Sequence, residues 1–254
     1  VSAAVITWGN GPANDAGYRS LDAYSRVYQD WRGWMEEGIV DLAMPMSYFR
    51  EQQNAAFLNR WMDYYKDRQY RRGLLVGLGN YLNTIPDTLA QVSRALAPSS
   101  GGGNKPLGFA LYSYASTNVL NAMGLPTVSN DEFYRALGET LGEVAKVPEL
   151  PWKSNPETGH LMGRLHVTGY DGWLLRDDVD VFIESDTGGE FNKRTRTDAT
   201  GFFGAVELVP DRYRIRLEKD GVEIYRSPAQ DLAAGATIEF PVEVDAEAIA
   251  VRLP

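Results

Sequence analysis

The chain has 254 residues, 44% hydrophobic and 23% charged, enough for one large or two ordinary soluble domains. Its net charge is −9 with no basic run, which argues against a nucleic-acid partner, since that needs a concentrated positive patch. There is no cysteine, which excludes disulfides and thiolate metal sites, and the only histidines are His160 and His166, which argues against a Ser-His-Asp triad or a histidine-rich metal site in the first 150 residues. No metal and no cofactor are expected.

No apolar run approaches the ~20 residues of a membrane span. The chain opens at Val1 directly on apolar strand text. Val1 is therefore expected to be an internal point of a longer protein, with any targeting segment upstream.

The first half alternates short apolar runs with longer helical patterns. The first strand is expected in "SAAVITW" (Ser2–Trp8). A helix follows, in which Leu21, Tyr24, Tyr28, Trp31, Trp34 and Met35 keep helical spacing. The second strand is "VDLAMPMSY" (Val40–Tyr48), and Phe57, Leu58, Trp61, Met62 and Tyr65 mark the next helix. The third strand is "GLLVGLGNY" (Gly73–Tyr81), followed by a proline-led helix over Pro86–Ala97. The glycine cluster Ser99–Pro106 reads as a flexible loop before the fourth strand, "LGFALYSYA" (Leu107–Ala115). A capped helix over Asn130–Lys146 closes this half.

Strands alternating with helices at this spacing predict a parallel sheet. No GxGxxG and no P-loop is present, so a nucleotide fold is not indicated. The strands end instead in aromatic and amide residues: Trp8 and Asn10, Tyr48, Asn80 and Tyr81, Tyr112 and Tyr114. Strand ends of that kind suit the active-site face of a (β/α)₈ barrel, where rings stack on sugar faces. Four βα units make half such a barrel. The expected fold is thus α/β plus all-β: a C-terminal half-barrel over residues 1–150, then a β-sandwich over residues 151–254.

The linker Val147–Gly159 carries three prolines. Beyond it, Gly163–Ser185, Phe191–Leu208, Asp211–Ser227 and Ala236–Val244 alternate apolar and polar residues between Gly, Asp and Pro turns. That grammar predicts an antiparallel sandwich. "DATG" (Asp198–Gly201) reads as a hairpin turn. Asp177, Asp178 and Asp180 lack EF-hand spacing and are read as strand residues rather than calcium ligands.

Taken together, "SAAVITWGN", "VYQDWRGWMEEGIVDLAMPMSYFRE", "FLNRWMDYY", "LLVGLGNYLN" and "GFALYSY" resemble the second half of the glycosyl-hydrolase-like family 10 barrels. Asp30, Trp31 and Arg32 match the family's helix motif, and Pro45, Tyr48 and Phe49 match its strand-end motif. The resemblance covers roughly residues 1–145. It implies strands 5–8 of a barrel and hydrolysis of glycosidic bonds. The implied substrate is a polysaccharide or peptidoglycan-type glycan, outside the cell or in its envelope. The family's acidic pair at the end of the fourth strand would lie upstream of Val1. The seventh strand, "LLVGLGNYLN", lacks the glutamate that retaining barrel glycosidases commonly carry there. The second half is similar to carboxypeptidase-regulatory-like, or transthyretin-like, modules, which serve as spacers or adhesion units.

Glycoside hydrolysis needs two carboxyl groups across the scissile bond. Asp30 is the leading acidic candidate; its alternative is to pair with an arginine and fix its loop. Tyr48 would donate a hydrogen bond to a sugar or a carboxylate, or else pack in the core. Trp8, Asn10, Phe49, Arg50, Glu51, Asn80, Tyr81, Tyr112 and Tyr114 are the candidate substrate-binding residues, with Glu51 alternatively a solvated acid. Trp31, Trp34 and Trp61 are expected to pack helix on sheet, and Asp41 to serve stability at the bottom face. Two other readings stay open: a noncatalytic glycan-binding or cell-surface protein, and a truncated chain that folds poorly or dimerises through its open sheet edges.

Overall fold

The computed structural model describes residues 1–124, 129–187 and 192–252. The chain divides into two compact units, Val1–Leu150 and the remainder from Pro151.

The first unit runs β1 (Ser2–Ile6), α1 (Asp15–Arg19), α2 (Asp22–Ser25), α3 (Trp31–Glu36), β2 (Leu42–Ser47), α4 (Glu51–Lys66) and β3 (Gly73–Leu78). It continues with a 3-10 turn (Asn80–Leu82), α5 (Ile85–Leu96), β4 (Gly108–Leu111), α6 (Val119–Ala122) and α7 (Asn130–Leu141). The four strands form one parallel sheet in the order β1-β2-β3-β4. Burial alternates along β2: Ala43, Pro45 and Ser47 are buried, while Leu42, Met44 and Met46 are half-exposed. The buried set shares its face with Val5, Leu74, Val76 and Leu78, in the register of the ladder. That face packs in one core with Trp31, Met35, Leu58, Trp61, Met62, Tyr65, Val92 and Ala95. The opposite face (Ala4, Ile6, Met44, Met46, Leu75 and Ala110) is apolar yet only partly covered within this unit. Gly77 marks the closest strand approach: a Cβ there would sit 2.5 Å from the carbonyl oxygen of Pro45.

Two expectations change here. The helical pattern over 21–35 is not one helix. Tyr28 takes φ 56°, the helix is interrupted, and α3 starts at Trp31 with the Asp30 carboxylate accepting from the Gly33 amide at 3.0 Å. The glycine cluster is not a loose loop. Asp67 accepts from the Ser99 hydroxyl, from Asn104 Nδ2 at 2.8 Å and from the Gly102 amide at 3.1 Å. Asp63 accepts from the Ser100 amide and hydroxyl at 2.9 and 2.7 Å. Two carboxylates one helical turn apart, Asp63 on α4 and Asp67 at its C-cap, thus fasten the segment, a contact between distant parts of the chain that composition cannot reveal. Between them, buried Lys66 donates to the Arg94 and Ala97 carbonyls, both at 2.8 Å, and caps α5.

The second unit contains α8 (Pro151–Ser154), β5 (Gly159–Thr168), β6 (Asp180–Ser185), β7 (Asn192–Arg196), β8 (Phe202–Leu208), β9 (Asp211–Lys219), β10 (Val222–Arg226), β11 (Gln230–Leu232), β12 (Thr237–Asp245) and α9 (Ala246–Arg252). Phe191, the expected start of a strand, lies outside the described residues. One sheet has the order β10-β9-β6-β7 with β11 also on β9; the other is β12-β5-β8. Leu161, Leu165, Phe203, Phe240 and Val242 of one sheet and Val181, Ile183, Ile215 and Leu217 of the other share a single core, which makes the unit a sandwich. It is not wholly antiparallel: β12 runs parallel to β5 over its whole length. β12 arrives from β11, which belongs to the other sheet, and this crossover fixes its direction. Period-two alternation carries no information about direction.

Asp198 makes the expected turn, its Oδ1 accepting from the amides of Thr200 and Phe202 at 2.8 and 3.1 Å. Asp178 and Asp180 pair with arginines: Arg196 bonds both, and Arg194 grips Asp180 at 3.0 and 2.6 Å. Among the described residues no His/Cys/Asp/Glu group could hold a metal, and no helix is long and apolar enough to cross a membrane.

Candidate functional site

The C-terminal ends of the four parallel strands lie along one edge of their sheet. Three of them converge on one aromatic cluster. Tyr48 follows β2, Tyr81 rides the 3-10 turn after β3, and Tyr112 follows β4. Tyr48 and Tyr112 stack with ring centroids 5.5 Å apart and planes 16° from parallel. Tyr81 stands edge-on to both, at 6.3 and 5.8 Å. Offset-stacked and edge-to-face geometries are the ones the ring quadrupole favours. Tyr112 is 57% exposed while Tyr48 is half-buried, so the cluster presents ring surface and is braced from behind. Burial, and then the neighbouring Tyr112 and Tyr81 phenols, push the Tyr48 hydroxyl above its usual range. It therefore stays a neutral hydrogen-bond donor at ordinary pH.

Amides hold the cluster in place. Asn83 Nδ2 donates to the Phe49 and Gly79 carbonyls, both at 3.0 Å, and its Oδ1 accepts from the Glu51 amide at 2.7 Å. Gln91 Nε2 donates to the same Phe49 carbonyl at 3.0 Å and to Glu51 Oε2 at 3.2 Å. The segment carrying Tyr48 is thus pinned from two sides. Asn80, 1% exposed, donates to the Ser113 carbonyl at 3.1 Å and ties the residue after Tyr112 to the residue before Tyr81. The Tyr112 amide donates to the Leu78 carbonyl at 2.9 Å. On the helix-facing side of the sheet, the buried hydroxyls of Thr7 and Ser47 lie 3.2 Å apart, and that of Ser47 lies 3.4 Å from that of Tyr65.

The other sequence candidates take different places. Trp8 and Asn10 are exposed beyond β1, and Trp8 makes none of the ring contacts of the tyrosine cluster. The loop carrying them is held by Trp61, whose Nε1 donates to the Gly9 carbonyl at 3.1 Å. Tyr114 is 84% exposed and rests against Tyr134 at 5.7 Å. Phe49 is buried against Phe57 and belongs to the core. Glu51 bonds Arg94 at 2.5 Å and joins α4 to α5. Asp30 caps α3, as described. Arg50 is exposed, with one bond to the Leu82 carbonyl at 3.3 Å. Trp31 and Trp61 are fully buried. Asn83 and Gln91, which fix the strand ends, were not marked by the sequence reading. Their signal is an amide in apolar surroundings, legible only once a helix face is known.

No family model matches the chain, and no curated protein matches it. Sixteen solved chains match. They include the TIE protein of Bacillus anthracis (13% identity, 35% of this chain and 16% of that one, TM-score 0.29). Others are a candidate carbohydrate-binding protein of Bacteroides uniformis (10%, 35% and 42%, 0.27) and the minor pilin of Streptococcus agalactiae (16%, 39% and 46%, 0.28). The chain spans well under two thirds of each of these proteins. At these scores the likenesses carry no argument about fold or function.

Proposed function

We propose that the first unit binds a glycan on the Tyr48–Tyr81–Tyr112 platform, without cutting it. The carrying observation is the exposed, braced ring surface at adjacent strand ends, with a neutral phenol held beside it. A pyranose presents an apolar C–H face to a ring and hydroxyls at its rim, and this site offers both complements. The strand-end segments 7–14, 48–50, 79–84 and 112–118 contain no Asp or Glu. Binding needs none.

A second reading, glycoside hydrolysis, is favoured by the parallel sheet itself. On that reading the unit is the C-terminal half of a (β/α)₈ barrel of the glycosyl-hydrolase-like family 10 type. The partly covered apolar face would then be the barrel interior, and both carboxyl groups would come from outside these segments. The sandwich unit would act as a spacer at the cell surface or envelope.

The test is affinity electrophoresis on a panel of soluble polysaccharides, with Tyr48→Ala/Tyr112→Ala as comparison. Retardation of the wild type that the double variant loses supports binding. Equal mobility of both on every gel removes the platform from the function. Release of reducing ends during the same incubations would favour the hydrolytic reading.

A further inference from the structure

Arg50 is the sole charged residue in the strand-end segments 7–14, 48–50, 79–84 and 112–118. Elsewhere in the unit Arg94 holds Glu51, Arg68 holds Asp15 and Arg32 holds Asp15 and Glu36. Arg50 has no carboxylate partner among the described residues. Its guanidinium donates to the Leu82 carbonyl at 3.3 Å, which lays it over the 3-10 turn that carries Tyr81. Its backbone is fixed as well, between Phe49, whose carbonyl accepts from Asn83 and Gln91, and Glu51, whose amide donates to Asn83.

We infer that the ligand of this platform is an anionic glycan, and that Arg50 selects it by binding the acidic group of a sugar whose ring lies on the tyrosines. This deepens the binding function proposed above and rests on it. A planar guanidinium with most of its N–H groups unpaired matches a carboxylate or sulfate in a two-pronged geometry. The pairing is charge-assisted. A neutral sugar at the same place would offer hydroxyl acceptors but no opposite charge.

The test compares matched ligands that differ only in charge, by calorimetry at low salt. Suitable pairs are oligogalacturonate against its methyl ester, a hyaluronan oligosaccharide against its methyl ester, and a chondroitin sulfate oligosaccharide against its desulfated form. The wild type is expected to prefer one or more acidic members over its neutral twin by about tenfold or more. Arg50→Gln is expected to bring that ratio to about one, and Arg50→Lys to leave it in between. The Arg50 side chain makes no helix-capping bond, so both variants should unfold at the wild-type temperature, which separates lost selection from lost fold. Equal affinity for acid and neutral twin, or a preference that survives Arg50→Gln, overturns the inference and leaves glycan binding standing. Absence of binding to every member, with no retardation on the polysaccharide gels, overturns both.

Discussion

Glu51 is the residue on which a binding role and a structural role give opposite outcomes. Its Oε2 accepts from Arg94 at 2.5 Å and from Gln91 at 3.2 Å, with the carboxylate side chain 15% exposed and the arginine 34%. A unit ion pair at about 3 Å gives about 5 kcal/mol of gross attraction at an effective dielectric of about 20. Desolvation of both groups and screening at the partly exposed guanidinium reduce that to about 1–2 kcal/mol net. Glu51→Gln keeps the shape and one acceptor but removes the charge. It should lower the unfolding temperature of the first unit by about 2–8 °C. Tryptophan fluorescence follows this transition through buried Trp31 and Trp61. A double-mutant cycle with Arg94→Met should return most of the loss as coupling between the two residues, and glycan retention should be unchanged. An unfolding temperature within about 1 °C of wild type, together with lost retention, would refute the structural assignment and return Glu51 to the ligand.

Asp30→Ala should cost about 1 kcal/mol through loss of the α3 cap, whereas Asp30→Asn, which keeps an acceptor for the Gly33 amide, should cost only tenths; urea unfolding of the two variants checks the difference. The sandwich unit should be acid-labile through its strand ladder. Burial raises the carboxyls of Asp180 and Glu184, but Arg194 and Arg196 on the first, and Arg216 and Arg226 on the second, outweigh it and hold both below their usual range. Folded values below unfolded ones mean stability that is fully present above the ordinary values, 3.8 for Asp180 and 4.5 for Glu184. That stability is lost as pH falls through the lowered folded values. Circular dichroism of the wild type against Asp180→Asn/Glu184→Gln should show a steeper acid loss in the wild type; parallel curves would contradict the linkage.

Element types were legible wherever the pattern was periodic. The four apolar runs of the first unit all contain strands, and Trp61 with Leu58, Met62 and Tyr65 marks a real buried stripe on α4. Partners were less legible. Asp30, Glu51, Asp63 and Asp67 look alike in sequence: acids near helix ends. The structure gives them a helix cap, a bridge to Arg94, and two anchors for the Ser99–Asn104 loop. Each depends on a residue between 3 and 43 positions away. The direction of β12 was hidden for a related reason. Alternation reports which face is buried, and only the neighbouring strand reports orientation.

The tyrosine platform shows the same division between residue and support. The rings could be read from strand ends, because a parallel sheet places consecutive strand ends side by side. Their mutual geometry comes from amides that looked unremarkable. If Asn83 let go, the Phe49 carbonyl would keep Gln91 as a donor, but the Gly79 carbonyl and the Glu51 amide would lose their bonds to this side chain. Two strand ends would loosen together, the one that carries Tyr48 and the one that precedes Tyr81. Asn80 plays the corresponding part between Tyr81 and Tyr112. Two buried asparagines on one 3-10 turn and its cap therefore set the spacing of all three rings. On the proposed binding function, a ligand that stacks on the platform would meet rings already in position and avoid much of the ordering cost of binding.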